Sequence, residues 1–176
     1  MKIADIIGLS MLPPTITKRE GKIVELTSPG VPVRGTLPYE FERSVMTFLF
    51  DHRRPLGIAH VFQAKNLLVD GGLALEDGCF IAVEIKYRMN WPKACQTGWQ
   101  FGEFTRSPEA RQYRPVAGIV FFGEFSGDWA RLRGQTERGW LNWYAGHVSL
   151  PGDEAFRVDL VRFRHGQLET MEDHRT

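Results

Sequence analysis

Three side chains that could perform chemistry together fall within one short apolar stretch, "VDGGLALEDGCFIAVEIKY" (residues 69–87). Asp70 stands near its start, and Glu84 and Lys86 stand two positions apart near its end. Side chains alternate between the faces of a β-strand, so Glu84 and Lys86 share one face. Two carboxylates that face each other repel, and a lysine or a divalent cation relieves that repulsion. Among such cations, Mg²⁺ prefers carboxylates, water and phosphate oxygens as ligands.

The turn between the two strands decides whether Asp70 joins this pair. A three-residue loop at residues 76–78, with Gly78 in the left-handed conformation, puts Asp70 directly opposite Glu84. A two-residue turn at Asp77 and Gly78 would put Asp70 on the other face. In the first register, the face shared with the charged residues carries small neighbours, which would leave room for a ligand: Gly72, Ala74 and Ala82. The alternative is that Glu84 and Lys86 are the solvent-facing half of an amphipathic strand.

The segments around this hairpin alternate between helical and strand-like patterns. Residues 39–52 place apolar side chains at helical spacing after a proline, and residues 91–106 form a second helical stretch. Residues 57–63, before the hairpin, and residues 115–125, after the second helix, have the pattern of strands. The order helix, three strands, helix, strand predicts an α/β fold.

Composition narrows the class of protein. The 176 residues are 43% hydrophobic and 24% charged, with a formal net charge of +1, which predicts one globular domain and gives no general argument for a polyanionic partner. No stretch approaches the roughly 20 apolar residues of a membrane span. The N-terminal run is interrupted by Asp5 and lacks a signal-peptide cleavage site, so we expect a cytoplasmic protein without a membrane partner. Cys79 and Cys95 lack the paired spacing of a zinc site or a disulfide framework.

The single domain divides into three parts. Residues 1–36 form an N-terminal arm rich in proline and glycine, residues 37–125 the core, and residues 126–176 a C-terminal extension with one more strand in "AFRVDLVRFRHG". The extension also carries the aromatic segment "GWLNWYAGHV". We expect this segment to pack against the sheet or against a second copy of the chain in a homodimer.

Asp70 followed by "VEIK" on the next strand, between two helices, resembles the PD-(D/E)xK, or restriction-endonuclease-like, nuclease superfamily over residues 37–125. The resemblance implies an αβββαβ core with a mixed central sheet and Mg²⁺- or Mn²⁺-dependent cleavage of DNA. It implies that Asp70, Glu84 and the Ile85 carbonyl hold the metal. Lys86 would position or deprotonate the attacking water. The rival interpretation is a non-catalytic module of the same fold that binds nucleic acid or another protein.

Accessory residues follow from the branch of that superfamily that resembles resolvases and exonucleases. There the first helix contributes a glutamate, for which Glu42 in "FERSV" is the candidate and Glu40 the competitor. The helix after the E-x-K motif contributes a glutamine. Gln96 and Gln100 share one helix face, so either could hold a phosphate or a metal-bound water, and both could be ordinary polar helix residues.

Local charge agrees with a nucleic-acid partner. Six basic and two acidic residues lie between Lys86 and Arg114, a local net charge of +4. A cationic edge of this kind can follow a phosphate backbone. The predicted nucleic-acid-binding residues are Arg88, Lys93, Arg106, Arg111 and Arg114.

Overall fold

The computed structural model describes residues 2–7, 23–26, 38–64, 68–127 and 157–170. The helices are α1 (Ile3–Ile7), α2 (Pro38–Asp51), α3 (Trp91–Thr105) and α4 (Pro108–Tyr113). The strands are β1 (Ile23–Glu25), β2 (Ile58–Ala64), β3 (Gly71–Leu75), β4 (Phe80–Met89), β5 (Pro115–Phe125), β6 (Arg157–Arg164) and β7 (Gln167–Thr170). The aromatic segment at residues 139–148 and most of the N-terminal arm lie outside the described residues, so the homodimer stays a prediction.

The strands form one seven-stranded sheet in chain order. Strands β1 to β4 pair antiparallel, β5 is parallel to β4, β6 is parallel to β5, and β7 closes the sheet antiparallel to β6. The predicted α/β class with a mixed sheet is therefore confirmed. Within the described residues, no helix combines the length and apolar character needed to cross a lipid bilayer.

Helices cover both faces of the sheet because each presents an apolar stripe. On one face, α2 buries Phe41, Val45 and Leu49 against the inward side chains of the strands. On the other, α3 buries Phe101 and Phe104, and α4 packs in the same core. Helix α4 is absent from the predicted elements, although the "SPEA" sequence of residues 107–110 is typical of a capped helix start.

The hairpin between β3 and β4 has the predicted three-residue loop, and the predicted register is confirmed as far as Gly71 and Val83. Gly78 adopts a φ of 91°, in the left-handed region that favours glycine. The Leu75 N–H donates to the Cys79 carbonyl at 2.8 Å, and Gly72 pairs with Ala82. The ladder ends where Gly71 pairs with Val83, and the Asp70 N–H donates to that same Val83 carbonyl, so Asp70 lies beside the end of the ladder and a direct Asp70–Glu84 pair is not observed.

The room expected beside the small residues of this face is absent, and that prediction is wrong. A Cβ added to Gly72 would lie 2.1 Å from the ring Cζ of Phe80. The Phe80 ring packs with Phe62 and Tyr113 at centroid distances of 5.8 and 5.0 Å. Because protein interiors are close-packed, these rings fill the volume that the small side chains leave. The small residues thus serve a second hydrophobic core.

Gly71 lies even closer to its neighbouring strand. A Cβ added there would lie 2.2 Å from the Phe62 carbonyl oxygen, a backbone atom that can move only by disturbing the β2–β3 ladder. We expect Gly71→Ala to lower the free energy of unfolding by about 3 kcal/mol, as overpacking does. Urea denaturation measures this. Ala59→Ser on the exposed side of β2 is the control, and a wild-type midpoint for Gly71→Ala would contradict the close approach.

Candidate functional site

The site lies where β3 begins while β4 continues. Strand β3 pairs with residues 80–83 of β4, whereas β5 pairs with β4 as far as Met89. Beyond Val83, β4 has no strand partner on the β3 side among the residues that the structure describes. We call this opening the notch and define it by Asp70 and residues 84–86.

Asp70 is fixed to the notch by two hydrogen bonds to β4. Its N–H donates to the Val83 carbonyl at 3.0 Å, and its Oδ2 accepts from the Ile85 N–H at 2.7 Å. The carboxylate thus replaces the strand carbonyl that a regular ladder would supply to Ile85. The N–H and C=O of a strand residue point to the same edge, so the Ile85 carbonyl also faces the notch.

Glu84 is a buried carboxylate that is only partly satisfied. It is 3% exposed, and its Oε1 lies 2.6 Å from the Lys86 Nζ. Its Oε2 is buried and has no hydrogen-bond partner among the described residues. The solvent-facing interpretation is therefore wrong for Glu84. A buried oxygen without a donor is unfavourable, and a water molecule or a cation would relieve that cost.

Glu42 is the third carboxylate of the cluster, and it comes from a different element. Helix α2 packs on β4 through the Phe41 and Tyr87 rings, whose centroids are 5.7 Å apart. The next residue, Glu42, is half-buried and interacts electrostatically with Asp70 and Lys86. Of the two glutamates considered on this helix, Glu42 is thus the one shown to interact with Asp70 and Lys86.

The three carboxylates share one ammonium group. Burial first, and repulsion from Asp70 second, raise the pKa of Glu84 to about 8 against the opposing charge of Lys86. Burial, helped by Asp70, raises the pKa of Glu42 to about 7 against the opposing charge of Lys86. Burial also raises the pKa of Asp70, although the Ile85 hydrogen bond and Lys86 act in the other direction. The cluster is thus short of positive charge when its acids are ionised.

The notch offers hard oxygen donors to a cation. Among the described residues, no three His, Cys, Asp or Glu side chains are arranged to hold a metal ion. The predicted set is smaller, with two carboxylates and a backbone carbonyl, and Mg²⁺ commonly uses one or two protein carboxylates and completes its shell with water. The unpartnered Glu84 Oε2, the Asp70 carboxylate and the Ile85 carbonyl fit that donor set.

The two predicted glutamines lie on α3, which packs on the sheet face opposite α2, where Phe80 and Ala82 of β4 are buried. By strand alternation this is also the face of the Glu84 side chain. Gln96 is exposed, and the half-buried Gln100 has an enclosed Oε1 without a partner among the described residues. Among the described residues, neither glutamine contacts Asp70 or Glu84.

The predicted basic edge is divided between the two ends of β4. Arg88 lies near the end of β4, and the Lys93 Nζ donates to the Arg88 carbonyl at 3.4 Å. Arg114 lies just before Pro115, which pairs with Phe80 at the start of β4. Eight residues of strand, about 26 Å, separate the two ends. A single continuous edge is therefore ruled out.

The distribution of these cations favours one group over the other. Arg111 and Arg114 belong to the far group, and so does Arg106 at the end of α3, which is paired with Glu103 at 2.9 Å. Arg88 stands two residues beyond Lys86 on β4, and its Nε lies 3.5 Å from the Glu124 Oε2 of β5. Of the predicted nucleic-acid-binding residues, Arg88 and Lys93 therefore lie toward the notch end of β4.

A second polar cluster lies near the other end of α2. A cavity of about 310 Å³ is bordered by β1, β2 and the end of α2. His60 pairs with Glu25 there, and the Arg53 side chain donates to the Phe50 carbonyl at 2.7 Å. These polar groups already have partners, so we place the candidate site at the notch.

Burial of the acids predicts a pH-dependent stability. In chelator-treated buffer, the stability that a protonated Glu84 contributes is present in full below its ordinary pKa of 4.5 and is lost as pH rises to about 8. We expect Glu84→Gln to reduce that loss by roughly 1–3 kcal/mol. Urea denaturation from pH 5 to pH 9 measures it, with exposed Glu76→Gln as control. Equal slopes for wild type and Glu84→Gln would contradict the burial of this charge.

Comparison with known proteins finds no relative of this chain. The chain matches no protein-family model, no curated protein and no solved structure. Its function is therefore inferred from the geometry and chemistry of the notch.

Proposed function

We propose that the protein is a Mg²⁺- or Mn²⁺-dependent nuclease that hydrolyses phosphodiester bonds of DNA. The observation that carries the proposal is the buried Glu84, whose unpartnered Oε2 lies in a cluster with Asp70 and Lys86. An acidic cluster with an adjacent ammonium can hold a divalent cation and a polyanionic substrate together.

The arrangement of elements supports the same proposal. Helix α2, strands β2 to β4, helix α3 and strand β5 follow the αβββαβ order, with β5 parallel to β4. We therefore include a restriction-endonuclease-like core for residues 37–125 in the proposal. In that core the notch corresponds to the expected position of the aspartate and the E-x-K residues.

Each residue of the notch has a distinct proposed role. Asp70, Glu84 and the Ile85 carbonyl would hold the cation, which when bound stabilises negative charge on the phosphate oxygens. The Ile85 N–H keeps the Asp70 carboxylate oriented. Lys86 orients the attacking water by hydrogen bonding, because its side chain is 27% exposed and reaches both Glu84 and solvent. Glu42 adds negative charge that favours cation binding.

A cleavage assay tests the proposal. Linear duplex, single-stranded and circular DNA are incubated with the wild type in Mg²⁺, in Mn²⁺ and in EDTA, with an RNA strand as an additional substrate. We expect metal-dependent cleavage of DNA, and none by Asp70→Asn purified in parallel, which controls for a contaminating nuclease. Absence of cleavage of every substrate by folded wild type would remove the proposal.

The alternative function is a non-catalytic module that binds nucleic acid or another protein. The ion pair between Lys86 and Glu84 favours it, since this pair partly neutralises the cluster without a metal. Such a module would bind DNA with equal affinity in Mg²⁺ and in EDTA at matched ionic strength, and would cleave none. The two functions are thus separated by the same preparations.

A further inference from the structure

An exposed aromatic ring and a half-buried guanidinium form a pair on the first turns of α2. Tyr39 is 68% exposed, the highest value among the large hydrophobic side chains of the described residues. The Arg43 guanidinium, one helical turn later, lies 5.8 Å from the centroid of the Tyr39 ring. Among the described residues, no carboxylate forms an ion pair with Arg43.

This pair is adjacent to the notch. Tyr39 precedes Glu42 by three residues, a rise of about 4.5 Å along the helix, and Arg43 follows Glu42 directly. Packing of Phe41 on Tyr87 of β4 holds these turns against the sheet. A strand that entered the notch would therefore pass close to Tyr39 and Arg43.

Stability alone does not account for the pair. An exposed cation–π contact is a weak interaction, and a ring left in solvent buries little apolar surface. An aromatic face next to a guanidinium is, however, the combination that binds single strands, because bases stack on the ring while the cation meets the phosphate. In a closed duplex the base faces are already stacked on each other.

We infer that Tyr39 and Arg43 bind an unpaired nucleobase and its neighbouring phosphate, so that the preferred substrate of the notch is single-stranded or frayed DNA. The inference rests on the proposed function, since it takes nucleic acid as the substrate. It adds two binding residues that the sequence motifs do not include. It also gives the reason for the exposure of Tyr39, which core packing does not.

Fluorescence anisotropy with a labelled single strand and a blunt-ended hairpin duplex, both in EDTA, tests the inference. We expect Tyr39→Ala to weaken single-strand binding about 10-fold and Tyr39→Phe to stay within about 2-fold of wild type, because stacking needs the ring and not the hydroxyl. Tyr39→Leu should resemble Tyr39→Ala, and Arg43→Ala should also weaken binding. Trp99→Ala is the control, since Trp99 is another exposed ring, at 55%, and belongs to a different helix, α3.

Several results would overturn the inference. The first is that the wild type does not bind the single strand. The second is that Tyr39→Ala binds it with wild-type affinity. The third is that Tyr39→Leu binds it as tightly as Tyr39→Phe does. The last result would indicate an apolar contact of the kind a protein partner uses. If the wild type cleaves DNA and Tyr39→Ala binds the single strand unchanged, this inference is wrong and the proposed nuclease function still holds. If binding depends on Tyr39 but no DNA is cleaved, the proposed nuclease function is wrong and the single-strand binding site still holds.

Discussion

Replacing Lys86 with alanine is expected to lower the rate of DNA cleavage about 10²–10⁴-fold, the usual effect of losing a group that positions water or transfers a proton. The ammonium lies 2.6 Å from Glu84 and is the cation nearest to the buried acid in the described structure. Rates are measured on linear single-stranded DNA with Mg²⁺ and with Mn²⁺. Cleavage at the wild-type rate by Lys86→Ala would show that this side chain has no part in the reaction.

The same substitution has a second consequence that the assay must control. Lys86 is the counter-ion of a carboxylate that is 3% exposed, so its removal leaves the cluster without compensating charge. We expect a loss of about 1–3 kcal/mol in metal-free buffer, less than for a fully buried pair because Lys86 is partly exposed. Rates are therefore compared below both melting temperatures. Arg54→Ala, which removes an exposed cation from the turn before β2, is the control and should keep most of the activity.

A divalent cation is expected to raise the melting temperature of the wild type by about 5–10 °C at 100 times its dissociation constant. A ligand of the native state at that concentration contributes about 2.7 kcal/mol, and each kcal/mol shifts the midpoint of a protein of this size by about 2–4 °C. The physical reason is that the cation neutralises the repulsion among the notch carboxylates, which burial strengthens. Thermal unfolding in Mg²⁺, in Mn²⁺ and in EDTA measures the shift.

Two variants make this experiment specific to the notch. Asp70→Asn removes a predicted ligand and should show a much smaller shift. Glu124→Gln, which alters an exposed carboxylate on β5, should shift as the wild type does. A rise of equal size in Asp70→Asn would place the cation elsewhere in the protein and take the metal out of the proposed mechanism.

Local sequence patterns determined the elements of the fold and the register of the hairpin. Alternation along β4 and the left-handed Gly78 are short-range properties, and together they set the pairing of Gly72 with Ala82 that brings Asp70 to the end of the ladder. Helical spacing of apolar residues likewise predicts α2 and α3. The start of α4 is likewise predictable from sequence, because the Ser107 cap and Pro108 stabilise the helix start within a single turn.

Only the tertiary structure determines which side chains surround the hairpin. Small residues next to charged ones are consistent with either a cleft or a packed core, and only the position of the Phe80 ring shows that Gly72 belongs to a core. The basic residues are close in sequence, yet α3 carries the chain back along the sheet, so Arg88 and Arg114 end about 26 Å apart in strand distance.

The composition of the candidate site depends on the same long-range packing. Glu42 joins the carboxylates because α2 packs on β4 through Phe41, a contact between elements that are far apart in the sequence. The burial of Glu84 and the exposure of Tyr39 depend on which surfaces the other helices cover. Sequence periodicity assigns a side chain to a face of its own element, whereas the neighbours of that face are set when the elements pack together.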